Sequence, residues 1–182
     1  MILFQKIVNY VKWLFSRITN LNENLFFGNK SRDVRANTLL ILKMDSIGDY
    51  VLFRNFLKVI RTSDTYKNHH ITLCGNNWWK DLAENLHREN IDQFIWLEYN
   101  HMFNWWYRLK LFKRVHSSGF ETLIHPSYSR DILTDAVVKY SGAKYKIGYK
   151  HFYSTTEQTI SDSVYTTLIS ANSRFEFEFF RN

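Results

Sequence analysis

The residues Thr38-Leu39-Leu40-Ile41-Leu42-Lys43-Met44-Asp45-Ser46-Ile47-Gly48-Asp49 decide how this chain is read. Leu39 to Leu42 form an apolar run with no alternation, the pattern of a strand buried on both faces in a parallel sheet. The run breaks at Met44 to Gly48, a short loop in which Gly48 can take a positive φ or let another group approach closely. From Asp49 onward, Val51, Leu52, Phe56, Leu57, Val59 and Ile60 recur at helical spacing. The stretch therefore predicts strand, glycine loop and helix, with Asp49 at the helix start, where the dipole favours an acid. Ligands of open α/β sheets bind outside the carboxyl ends of the strands, which is where this loop falls.

Working downstream, His70 to Gly75 reads as a second strand, followed by a helix over about Trp78 to Leu86 with Asn77 as its cap. Ile91 to Leu97 is a third strand, and a longer helix is expected from about Phe103 to His116, ended by Gly119. Phe120 to His125 gives a fourth strand, Pro126 to Arg130 its exit loop, and Asp131 to Tyr140 a helix. Tyr145 to Tyr149 is a fifth strand, and Val164 to Ile169 a further short one. Strands alternating with helices in this way imply a Rossmann-like doubly wound parallel sheet.

Upstream, Phe4, Ile7, Val8, Val11, Leu14, Phe15 and Ile18 fall on one helical face, interrupted by Lys6, Lys12 and Arg17. No apolar stretch there approaches the roughly 20 residues of a spanning helix, and no small-residue cleavage site follows. A basic amphipathic helix over residues 2–19, with Trp13 near its boundary, suits an anionic membrane surface; packing on the domain or on a partner is the other reading. Residues 20–37 are polar and read as a linker.

With 182 residues, 45% of them hydrophobic, one domain with a sizeable core is expected. The net charge of +7 favours an anionic partner, and its distribution is uneven: residues 101–150 carry nine basic side chains against three acidic. Cys74 is the single cysteine and lies inside a predicted strand, so it reads as a buried structural thiol. The chain has no Gly-x-Gly-x-x-Gly, no Walker lysine loop, and no cysteine pair or spaced histidine cluster. Dinucleotide, P-loop and zinc readings therefore lack support, and neither cofactor nor metal is expected. Trp105, Trp106, Arg108 and Arg114 are basic and aromatic, but at helical spacing rather than on a strand face, so no nucleic acid is expected as a partner.

The segment from Lys43 to Asp49, directly after its apolar strand, resembles the opening motif of the glycosyltransferase family 9 enzymes, the ADP-heptose:lipopolysaccharide heptosyltransferases. Gly119-Phe-Glu-Thr-Leu-Ile and Ser141-Gly-Ala-Lys-Tyr-Lys-Ile-Gly148 resemble later segments of the same family, and Phe175 and Glu176 its approach to a second domain. The resemblance implies the N-terminal half of a GT-B glycosyltransferase, in which two Rossmann-like domains face each other across a cleft. It divides the chain into 1–37, the amphipathic helix and linker; 38–172, the acceptor-side domain; and 173–182, the start of an interdomain helix, the second domain being absent. It implies an inverting, metal-independent transfer from a nucleotide sugar, ADP-heptose, to a lipopolysaccharide core or related glycan. The donor is contacted mostly from the missing half, so the isolated chain is expected to be inactive. The alternative is a non-enzymatic module that binds a membrane glycolipid or a partner chain. With the basic helix, the implied location is cytoplasmic, peripheral on the inner face of the bacterial inner membrane.

Sugar transfer to a hydroxyl needs a base for its proton. Asp49 is chemically suited and matches the family's catalytic aspartate; its plain structural role would be to charge the helix start. Asp45 is the second candidate base. Ser46, Ile47 and Gly48 are expected to approach the donor phosphates. Lys43 would offset phosphate or acceptor charge, or else pair with Asp45 or Asp49. Ser127 and Arg130 leave the fourth strand on the same sheet edge, where Arg130 would grip an acidic acceptor group or else pair with Asp131 or Asp135. His125 reads as a satisfied core histidine.

Overall fold

The computed structural model describes Phe27 and residues 33–128, 130–150 and 161–170. The helix expected over 2–19, most of the linker, and the tail from 171 onward lie outside the described residues. The architecture belongs to the unit Asp33–Asn182.

The strands are β1 (Arg35–Lys43), β2 (His70–Asn76), β3 (Gln93–Leu97), β4 (Phe120–His125), β5 (Tyr145–Tyr149) and β6 (Thr167–Ile169). They form a six-stranded sheet in the order β3-β2-β1-β4-β5-β6, and every neighbouring pair is parallel. The helices are α1 (Ile47–Phe53), α2 (Asn55–Thr62), α3 (Lys80–His87), α4 (Trp105–Ser117) and α5 (Ile132–Tyr140). This is the doubly wound Rossmann-like arrangement expected from the alternation of patterns. It reverses at β1, where the chain builds outward first to β2 and β3 and then, on the other side, to β4, β5 and β6.

The centre of the sheet follows from the apolar run. Leu39, Leu40, Ile41 and Leu42 are all fully buried, and β1 is hydrogen-bonded to β2 on one edge and to β4 on the other. Successive side chains alternate between faces. Leu39 and Ile41 join a cluster with Tyr50, Phe53, Leu57 and Trp79, the face of α1 to α3. Leu40 and Leu42 point the opposite way, and right-handed crossovers place α4 and α5 on that side. Phe112, Val115, Val137 and Val138 of those helices are buried. Each Leu or Ile so buried contributes about 1.5–3 kcal/mol.

Several boundaries differ from the sequence reading, each for a local reason. β1 begins at Arg35 rather than at Thr38, because Asn37 takes a left-handed conformation (φ 56°) and shifts the register, so that Arg35 pairs with Phe120. The first helix begins at Ile47, with Ser46 at the N-cap position but making no side-chain cap bond, so Asp49 lies in its first turn. Asn76, not Asn77, caps the turn after β2: its side chain accepts from the Trp78 amide, and Asn77–Trp79 form a short 3₁₀ turn ahead of α3. A second 3₁₀ turn, Tyr99–Phe103, precedes α4, which Asn104 caps through the Tyr107 amide. Asp131 accepts from the amides of Leu133 and Thr134 at the start of α5.

Candidate active site

The carboxyl ends of β1, β2, β3 and β4 open into one cavity of about 400 Å³, lined by Met44, Asp45, Ser46, Asp49, Asn76, Trp78, Tyr99 and Asp131. It sits where the winding reverses between β1 and β4, the position at which open α/β sheets bind ligands. The loop after β1 and the first turn of α1 supply Met44, Asp45, Ser46 and Asp49, the turn after β2 supplies Trp78, the turn after β3 supplies Tyr99, and the loop after β4 supplies Asp131.

The floor is held by a buried ion pair. Lys43, whose side chain is fully buried, lies 2.8 Å from Asp45 Oδ2 and 3.5 Å from Ser127 Oγ, which accepts from it. Ser127, buried at the exit of β4, donates to the same Asp45 oxygen at 2.5 Å. The Lys43 ammonium also lies over the Phe53 ring. Lys43 and Ser127 therefore reach the cavity only through Asp45. The Asp45 backbone is fixed too, since its carbonyl accepts from Trp79 Nε1 at 3.2 Å. Trp79 stacks on Tyr50 with ring centroids 4.1 Å apart. It fits because β2 passes beneath it at Gly75, where an added Cβ would come within 1.9 Å of the indole.

Asp49 stands differently. It is half-buried on the cavity wall, and its Oδ2 accepts from the Ser46 hydroxyl at 2.7 Å. Its Oδ1 takes no hydrogen bond from any described residue. Neutralising Asp45 would leave the ammonium of Lys43 buried without its counter-charge, a strongly unfavourable state. Asp49 can accept a proton without that penalty. A Cβ added at Gly48 would meet nothing nearer than Ser46 Oγ at 3.9 Å, and the φ of Gly48 is not positive. The backbone here does not require glycine; the missing side chain leaves open space at the helix start. Ile47 is exposed beside it.

Arg130 lies elsewhere than at the cavity. Its guanidinium is fully buried and paired with Asp162, and it stacks over Tyr165 at 4.4 Å. Tyr165 in turn donates to Asp135 Oδ1 at 2.6 Å, while its hydroxyl lies 2.7 Å from His125 Nδ1. With the one phenolic proton given to Asp135, the imidazole donates from Nδ1. Burial raises the Asp135 carboxyl to about 6, against the opposing effects of the Tyr165 hydrogen bond and the Arg130 charge. Gly148 makes room for this group, since a Cβ there would come within 2.5 Å of the Tyr165 ring. His125 is thus a core histidine held through its Nδ1, and Cys74 a buried thiol pushed up to about 12 by desolvation.

Trp78, Tyr99, Asn76 and Asp131 were not legible as site residues in the sequence. Tyr99 donates to Asp131 Oδ2 at 3.0 Å, and burial, reinforced by that carboxylate, raises its phenol above the ordinary value. Only their position after successive parallel strands gathers them, and that follows from topology rather than from any motif. Among the described residues no group of three or more His, Cys, Asp or Glu side chains converges to hold a metal. No helix of the described residues is long and apolar enough to cross a membrane.

No protein-family model and no curated protein matches this chain. A solved structure does: a glycosyl transferase of family 9 from Veillonella parvula, with a TM-score of 0.63 and 15% sequence identity over 83% of this chain. The match defines the fold, a Rossmann-like domain of the type found as the N-terminal half of GT-B proteins. The chain spans 40% of the length of that structure.

Proposed function

We propose that this chain is the acceptor-binding half of a glycosyltransferase that moves a sugar from a nucleotide-sugar donor onto a glycan. The observation that carries the reading is Asp49: a half-buried carboxylate with one unbonded oxygen, in the first turn of α1, on the wall of the cavity at the winding reversal. The shared fold with the family 9 transferase and the opening motif from Lys43 to Asp49 support it.

In this reading Asp49 takes the proton of the acceptor hydroxyl as that oxygen bonds to the donor's anomeric carbon and the sugar–phosphate bond breaks. The displaced nucleotide leaves with the bonding electron pair. Ser46 orients Asp49 through its hydroxyl, and the open space at Gly48 lets the donor phosphate approach the α1 amides. Lys43 and Ser127 act as positioning residues that fix Asp45. Arg130 acts within the domain, holding Asp162 and Tyr165. The finer assignment, ADP-heptose as donor and a lipopolysaccharide core as acceptor, rests on the motif resemblance and belongs to the same proposal, as does peripheral association with an anionic membrane surface through residues 2–19.

Titration of the ¹⁵N-labelled chain with a dephosphorylated lipopolysaccharide core oligosaccharide tests the placement. Amide shifts concentrated at Ser46 to Asp49, Trp78, Tyr99 and Asp131 are expected. Shifts confined to the opposite sheet edge, around Asn37 and Gly119, would contradict it.

A further inference from the structure

Most of the chain is basic, but this cavity is not. Among the described residues its lining contains three carboxylates, Asp45, Asp49 and Asp131, and no lysine, arginine or histidine. The two cations that the sequence placed at this edge are already engaged: Lys43 with Asp45 beneath the floor, and Arg130 with Asp162 away from it. The exposed cations of α4, Lys110, Lys113 and Arg114, do not line it. The remaining wall is polar and aromatic, with Asn76, Tyr99 and a largely exposed Trp78.

From this lining we infer that the acceptor sugar residue seated in the cavity carries no anionic group: it is a neutral or amino-bearing pyranose. The inference rests on the transferase reading above and adds the charge class of its acceptor. Carboxylates accept hydrogen bonds and donate none when ionised, so they match sugar hydroxyls and ammonium groups and repel an anionic group seated among them; the donor phosphate of the reading above meets the α1 amides at Gly48, which does not line the cavity. Among the described residues the three acids do not converge as a metal-holding group; they line the cavity as separate carboxylates. The indole of Trp78 supplies a flat surface for the ring's C–H face, which lies against an aromatic quadrupole. A cavity of about 400 Å³ is at the small end of ligand sites, a size for one sugar residue rather than an oligosaccharide. A site built for a phosphorylated or uronic acid acceptor would instead present a free arginine fork or lysine.

The experiment is an NMR titration of the whole 182-residue chain, reading the Trp78 indole N–H, with methyl β-glucoside, methyl β-glucosaminide, methyl β-glucuronide and glucose 6-phosphate. The neutral and amino sugars are expected to bind at least tenfold tighter than the two anionic ones, with the gap shrinking as salt rises. Asp131→Asn retains a capping side chain for α5 and is expected to narrow the gap threefold or more. The wild-type comparison decides the matter even if that variant folds poorly. Equal or tighter binding of the anionic sugars at Trp78 would overturn the charge inference and leave the acceptor site standing. If no sugar of any charge perturbs Trp78, the acceptor reading fails and the inference with it.

Discussion

Asp45 and Asp49 line one cavity, yet their environments assign them different work. Asp45 Oδ2 is committed to the buried Lys43 and to Ser127, whereas among the described residues the Asp49 carboxylate bonds only the Ser46 hydroxyl. Gly48 offers a test that separates function from stability. A methyl group there meets only open space, and alanine is the better helix former by roughly 0.5–1 kcal/mol. Gly48→Ala is expected to hold or raise the urea midpoint of the chain, and to lower turnover in a complete enzyme by obstructing the donor phosphate. Asp135 carries a pH signature. Its carboxyl titrates near 3.8 unfolded and at about 6 folded, so the folded state binds the extra proton between those values. The contribution of this group to stability is therefore fully present below about pH 4 and is lost as pH rises through about 6, by on the order of 3 kcal/mol. Asp135→Asn should flatten that part of a urea-stability profile; an unchanged slope would remove Asp135 as its source.

At the scale of elements, β1 and the 3₁₀ turn after β2 hold the cavity in place. Ile41 is fully buried between two parallel neighbours. Ile41→Asp buries an unpaired charge worth several kcal/mol and should abolish cooperative folding by circular dichroism; a soluble, cooperatively melting variant would remove β1 from the centre. Gly75→Ala forces the Trp79 indole to move. It should destabilise by about 1–3 kcal/mol and change the near-ultraviolet signal of the Tyr50–Trp79 stack. The strands and helices were legible because apolar period and length distinguish them locally. The pairing of Arg130 was not: its partner Asp162 is 32 residues away, beyond the nearby Asp131 and Asp135 that the sequence suggested. Likewise the close passage of Gly75 under Trp79 leaves no trace in any periodic pattern, since it depends on the sheet's third dimension.

Across the whole molecule, the opening motif was legible and the cavity wall was not. Lys43, Ser46, Gly48 and Asp49 fall within one short segment of sequence, while Asn76, Trp78, Tyr99 and Asp131 come from three other strand ends that only the strand order unites. The charge pattern was legible in sum but not in place: a chain of net charge +7 keeps the described lining of its cavity acidic. The chain aligns to 40% of the length of a family 9 transferase, and the proposed transfer is tested in a two-domain enzyme that carries the same acceptor-side domain. In such a two-domain enzyme, the most direct measurement is steady-state turnover of Asp49→Asn, which keeps size and hydrogen bonding but removes the proton acceptor. The proposed role predicts a kcat lower by roughly 10²–10⁴ with acceptor KM little changed. Full turnover in Asp49→Asn would contradict it and pass the proton to another group.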